Sequence, residues 1–200
     1  MFVLHEDILQ ALVRERELLP GAAVILMVGL LFGVVEVLVP LRFDALGGGG
    51  AVIGAAFALA SIAEGVSGPL IGRFSDRVGP LRPVQASLLG GIVLALLLPV
   101  PESIVLLVLL CVVLGPVEGG MFVPGMKLLA DGAERAQLDQ GYAFAIFNFT
   151  WAMTTAAGSA GGGALADATS DAVAYAAIAA VLALALIASL RASYARPLPS

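Results

Sequence analysis

Charge is scarce in this chain of 200 residues: Asp, Glu, Lys and Arg make up 12% of it, and lysine occurs once. A soluble domain carries about 25% charged residues, so an ordinary water-exposed surface is excluded. The basic residues, one Lys and nine Arg, form no clustered face, which excludes nucleic acid as a partner. A single cysteine, Cys111, lies inside an apolar run and rules out a disulfide framework or a cysteine-based metal site within one chain. It reads as a small buried apolar residue. The single histidine, His5, precedes the first apolar run, which removes histidine clusters and Ser/His/Asp triads. No nucleophile and base pair, phosphate loop or metal cluster is visible, so neither an enzyme nor a cofactor or metal is expected.

What fills the chain is apolar: 60% of the residues are hydrophobic and the mean hydropathy is +1.03. A membrane-crossing helix takes roughly 20 apolar residues, so six crossings occupy about 120 positions and leave short loops. Six apolar segments are present, at approximately 20–41, 50–72, 84–99, 103–126, 142–165 and 172–190. Each break has a cause. Pro40 with Arg42 and Asp44 ends the first segment, and Gly47 to Gly50 loosen the turn that follows. Pro80 and Pro83 separate the second from the third, and Pro99, Pro101 and Glu102 end the third. Lys127, Asp131, Glu134, Arg135 and Asp139 mark a polar connection after the fourth, and residues 167–171 turn into the last. The expected fold is all-α, a polytopic membrane protein of six transmembrane helices.

Residues 1–19 are too charged for a secretory signal and read as an amphipathic cytoplasmic segment. Phe2, Ile8, Leu9, Leu12 and Val13 share one helical face, while Arg14, Glu15, Arg16 and Glu17 reach water or headgroups. The transmembrane domain spans 20–190, and 191–200 form a cytoplasmic tail. Six crossings put both termini on one side. That side holds Arg14, Arg16, Arg73, Arg77, Arg82, Lys127, Arg135, Arg191 and Arg196, and the other holds only Arg42, so both termini are expected to be cytoplasmic. The Ala, Gly, Val and Arg bias points to a GC-rich prokaryotic genome, hence to the cell membrane.

A faint internal repeat favours two three-helix units. Gly33-Val-Val-Glu36 on the first span echoes Gly115-Pro-Val-Glu118 on the fourth, 82 residues on. Ala56-Phe-Ala-Leu59 on the second echoes Ala143-Phe-Ala-Ile146 on the fifth, 87 residues on.

The most specific local signal is Gly72-Arg-Phe-Ser-Asp76-Arg77-Val-Gly79-Pro-Leu-Arg82. Gly72 and Gly79 permit a tight turn, Asp76 can cap a helix start or pair with Arg, and Arg77 and Arg82 face anionic headgroups. The segment resembles the Gly-x-x-x-Asp-Arg-x-Gly-x-x-Arg loop between the second and third helices of a six-helix half in the major facilitator superfamily. Over nearly its whole length the chain is similar to the C-terminal half of the proton-coupled drug or amine antiporters in the vesicular-amine-transporter-like group. Glu36-Val-Leu-Val-Pro40 resembles the Glu-x-x-x-Pro of their seventh helix, and Pro124 with Leu128, Leu129 and Asp131 resembles the end of their tenth. Gly141-Tyr142 through Asn148 to Gly158 resembles their eleventh, with Asn148 where an acid often stands and Ser159 where a Pro follows. The resemblance implies half of a twelve-helix transporter. The chain is therefore expected to work as a homodimer or with a separately encoded second six-helix half, or to be a truncated remnant.

An ionisable side chain at the membrane centre costs roughly 2.5–3.5 kcal/mol even on lenient scales. Glu36, Glu64 and Glu118 interrupt the apolar spans with no basic residue at similar depth, so each must hold a proton part of the time or line a wet cavity. A carboxyl that alternates between a proton and a cationic substrate is the minimum device for antiport. Glu36 is the leading candidate. Glu118 is flanked by Gly115 and Gly119, which also signal close helix packing, and Glu64 reads as structural or as a partner of the motif loop. On the fifth span Asn148, Trp151 and Thr155 continue to Gly158 and Gly162 as one polar, small face that should line a cavity or a tight interface. Trp151 can stack on a cationic ligand or simply pack in the bundle. Gly29-x-x-x-Gly33 reads as helix packing. The expected function is secondary transport, efflux of small lipophilic or cationic compounds in exchange for protons across the lipid bilayer. The competing reading is a non-transporting interaction or dimerisation module.

Overall fold

The computed structural model describes residues 16–194. They form six helices: α1 (Leu19–Ala45), α2 (Gly50–Val78), α3 (Leu81–Leu97), α4 (Ile104–Arg135), α5 (Gln140–Ala168) and α6 (Asp171–Tyr194). Four of them, α1, α2, α4 and α6, are long and apolar enough to cross a membrane. The apolar α3 is shorter, at 17 residues, and α5 has the length but carries Asn148, Thr150, Thr154, Thr155 and Ser159 along it. The amphipathic segment expected over 1–19 falls largely outside the described residues; Arg16, Glu17 and Leu18 form the turn that enters α1, where Pro20 sits in the first helical turn.

The helices run past several expected ends. Pro40 does not stop α1, which continues to Ala45, and α4 passes through Pro116 and Pro124 to Arg135. The polar connection expected from Lys127 onward is therefore mostly helix, and the actual link is residues 136–139, where Gln137 turns at φ 57°. Packed neighbouring helices satisfy the backbone groups that a proline frees, which is why proline persists inside membrane helices. Asp139 caps α5 by accepting from the Gly141 N–H at 2.7 Å. The motif segment is likewise not an open loop. Gly72 to Val78 complete α2, with Gly72 in open helix, and only Gly79 and Pro80 make the turn. Gly79 adopts φ 85°, the left-handed backbone for which glycine is suited.

Packing is organised by glycines. Gly29 and Gly33 on α1 press against Thr154, Thr155 and Ser159 on α5, and Gly158 and Gly162 on α5 press back on Leu30 and Val34. Gly115 on α4 meets the Ala60 carbonyl and the Glu64 amide on α2, and Gly119 faces the Glu64 side chain. Small residues let helix backbones approach closely, the main source of association energy where no water is excluded. Thus α1 packs on α5, and α4 packs on α2. Gly33 sits over the Thr155 carbonyl and the Ser159 amide much as Gly115 sits over those of Ala60 and Glu64. These partners stand 95 residues apart, not the 87 of the recurring Ala-Phe-Ala words, so the echo between α2 and α5 lies about two turns from the packing equivalence.

Two apolar cores result. The larger one joins α1, α3, α4 and α6, with Leu31, Leu38, Leu107, Tyr175 and Leu182 fully enclosed. The smaller, around Leu18, Ile25, Leu129 and Ile146, binds the starts of α1 and α5 to the end of α4. Trp151 packs against both. Outside, α2 exposes Ile62, Val66, Leu70 and Phe74, an apolar surface suited to lipid or another chain and not to water.

Candidate transport site between α1, α2, α4 and α5

Close contact of α2 with α4 brings two of the three intramembrane acids together. Glu64 and Glu118 line one cleft of about 40 Å³ with Phe32, Phe57, Ser61 and Cys111. Glu118 is only 9% exposed, and its Oε1 is buried without a hydrogen-bond partner. Neither of the two ion pairs among the described residues involves Glu36, Glu64 or Glu118. A buried carboxylate with no counter-ion costs several kcal/mol, and taking up a proton or a cationic ligand removes that cost.

Beside the cleft lies a cluster of four rings drawn from α1, α4 and α5. The Trp151 ring stands 5.2 Å from Phe32, 5.7 Å from Phe122 edge-on and 6.2 Å from Phe147 in a stacked arrangement. Phe122 and Phe147 meet edge to face at 5.5 Å. Phe32 belongs to both features, and Phe122 follows Glu118 by one helical turn, so the carboxyls and the rings are adjoining parts of one region. All four rings are half-buried.

The remaining candidates are placed differently. Glu36 follows Phe32 by one turn of α1 but is exposed on the bundle surface and is not among the residues that line the carboxyl cleft. Asn148 is also exposed, and its amide donates to the Phe144 carbonyl of its own helix at 2.8 Å. Of the single face expected on α5, Trp151, Thr155, Gly158 and Gly162 all lie against α1, and Asn148 at its start is exposed. Thr155 keeps a buried hydroxyl without a partner, whereas Thr154 donates to Thr150 at 2.7 Å. Glu64 is not a partner of the motif segment; it belongs to the Glu118 cleft.

Asp76 of the motif neither caps a helix start nor pairs with an arginine. It accepts from Lys127, which ties the last turn of α2 to α4 about two turns before that helix ends. Arg135 donates to Glu17 at 2.7 Å at the same end of the bundle, while Arg77 and Arg82 remain exposed. At the other end Arg42 donates to the Pro101 carbonyl at 2.8 Å. Phe32, Phe57, Phe122 and Phe147 had not stood out in the sequence, because a phenylalanine in an apolar run carries no local mark of its neighbours. Lys127 did carry a signal: it is the only lysine, set three residues after a proline inside a helix.

No curated protein matches the chain. A family model described as Major Facilitator Superfamily matches residues 21–199, beginning in the first turn of α1. The chain belongs to the Major Facilitator Superfamily, a family of membrane transporters.

Proposed function

We propose that the chain performs proton-coupled efflux of small lipophilic or cationic compounds, with Glu118 and Glu64 as the coupling pair and the rings around Trp151 as the substrate contact. The observation that carries this reading is the buried, unpartnered Glu118 carboxyl sharing a cleft with Glu64. Two carboxyl groups so placed cannot both be ionised cheaply, so the pair holds a proton until a cation replaces it. Phe32 and Phe122 offer such a cation π-faces next to the carboxyls. Glu36 and Asn148, exposed on α1 and α5, lie on the face that a second six-helix half, from a homodimer or a separate chain, covers. The helices cross the cell membrane six times as two three-helix units of opposite orientation, a reading supported by the matching seats of Gly33 and Gly115. Both termini are cytoplasmic, in keeping with the basic residues gathered at that end.

The test is efflux of ethidium from proteoliposomes under an imposed pH gradient. The parent chain should move ethidium and protons in opposite directions, and Glu118→Gln should stop both without preventing ethidium binding. Unchanged exchange in Glu118→Gln would remove the pair from the mechanism. No exchange by the parent, alone or with a second half, would favour a non-transporting module.

A further inference from the structure

At the basic end of the bundle two cavities adjoin. One is a cleft of about 700 Å³ between the start of α1, the α2–α3 turn and the end of α4; its charged lining is Glu17, Arg82, Asp131 and Arg135. The other is a groove of about 300 Å³ between α1, α3 and α6, lined almost entirely by apolar side chains. Pro20 and Leu81 line both, so the groove and the cleft lie side by side across a shared wall. On α1 the groove runs from Pro20 to Met27, on α3 from Leu81 to Leu88, and on α6 from Ala192 back to Ala185. Each run covers two helical turns, so the groove follows the helix axes for about 10 Å, starting from the charged end.

We propose that this end binds one membrane glycerophospholipid, with an acyl chain in the groove and the headgroup phosphate at Arg82 in the cleft. The direction of the groove is that of an acyl chain in a bilayer, and its polarity changes from apolar to charged in the order in which a phospholipid does. Charge selects the headgroup. Glu17 and Arg135 neutralise each other at 2.7 Å, and no ion pair among the described residues includes Arg82, which leaves its guanidinium for a phosphate. Asp131, also in the lining, leaves the cleft without net charge, so Arg82 carries the phosphate contact. The site lies apart from the carboxyl cleft and does not depend on transport.

Native mass spectrometry of the detergent-solubilised full chain, titrated with phosphatidylglycerol, tests this. One lipid should stay bound, and Arg82→Gln should weaken its retention about fivefold, the loss of one arginine contact near a membrane surface. Ala188→Trp, which fills the groove from an exposed position on α6, should weaken retention similarly while Arg82 is intact. Thermal unfolding of each variant without lipid confirms that it is folded. Equal retention by the parent and both variants would overturn the proposal. So would equal stabilisation by inorganic phosphate, which marks a free-anion site, or by diacylglycerol, which marks a tail groove alone. A change in oligomeric mass on Ala188→Trp would assign the groove to a second protein chain and likewise overturn it.

Discussion

Glu64 on α2 and Glu118 on α4 line the same cleft because Gly115 lets the two backbones touch and Gly119 leaves room for the Glu64 side chain. Nothing larger than hydrogen fits at Gly115, where a Cβ would strike the Ala60 carbonyl. The proposed coupling pair therefore rests on a packing device that carries no chemistry of its own.

Gly115→Ala should destabilise the protein by about 1–3 kcal/mol, the usual cost of overpacking. Gly65→Ala, on the open side of α2 with no atom near the added methyl, should instead stabilise it by about 0.5–1 kcal/mol through helix propensity. Thermal unfolding in detergent compares them. Equal effects would mean that α2 and α4 do not make this contact.

Addition of a lipophilic cation to the protein in weakly buffered detergent solution should release protons. Glu118→Gln should abolish the release, and Glu64→Gln should reduce it, because Glu118 is the more enclosed of the two. A pH electrode or indicator dye reads the outcome. Glu36→Gln should leave proton release intact, since Glu36 is exposed and outside the cleft.

Trp151 is the only tryptophan, so its fluorescence reports on the ring cluster without labelling. Ethidium should quench it saturably, and Phe122→Ala should weaken the apparent affinity. Trp151→Ala should cost about 1–3 kcal/mol of stability, from the loss of three ring contacts worth roughly 0.5–1.5 kcal/mol each in part. Quenching that does not saturate would place the ligand in lipid or detergent and not in the protein.

The Lys127 and Asp76 pair is exposed, and exposed pairs contribute little to stability. Asp76→Lys should therefore leave thermal unfolding nearly unchanged but alter the transport rate, since the end of α2 and the stretch of α4 beside it, tied before, now repel. Combining it with Lys127→Asp restores the pair with reversed sign and should recover the rate. Failure of the double variant to recover would make Asp76 important for some reason other than Lys127.

The number and approximate position of the helices were legible because both depend on local properties: the length of an apolar run and the composition of the break after it. Their ends were less so. Pro40 and Pro124 look like stops in isolation, but neighbouring helices carry α1 and α4 past them. The glycine seats were half legible, since Gly29, Gly33, Gly115 and Gly158 announce close packing without naming the helix they pack on.

Composition and order along the chain were enough for an all-helical membrane protein with its basic residues at one end, because insertion and charge asymmetry act on each segment separately. Which acids meet was decided only by the tertiary structure. A helix that is apolar nearly all round has no preferred inward face, and α1, α2 and α4, which carry the three acids, are of that kind, so the pattern along the chain cannot say which way a lone carboxyl points. Glu36 and Glu118 occupy similar words in the sequence, yet packing leaves the first on the surface and encloses the second. The difference comes from the helices that each glycine-rich stripe admits, and that is a property of pairs of segments, not of either one alone.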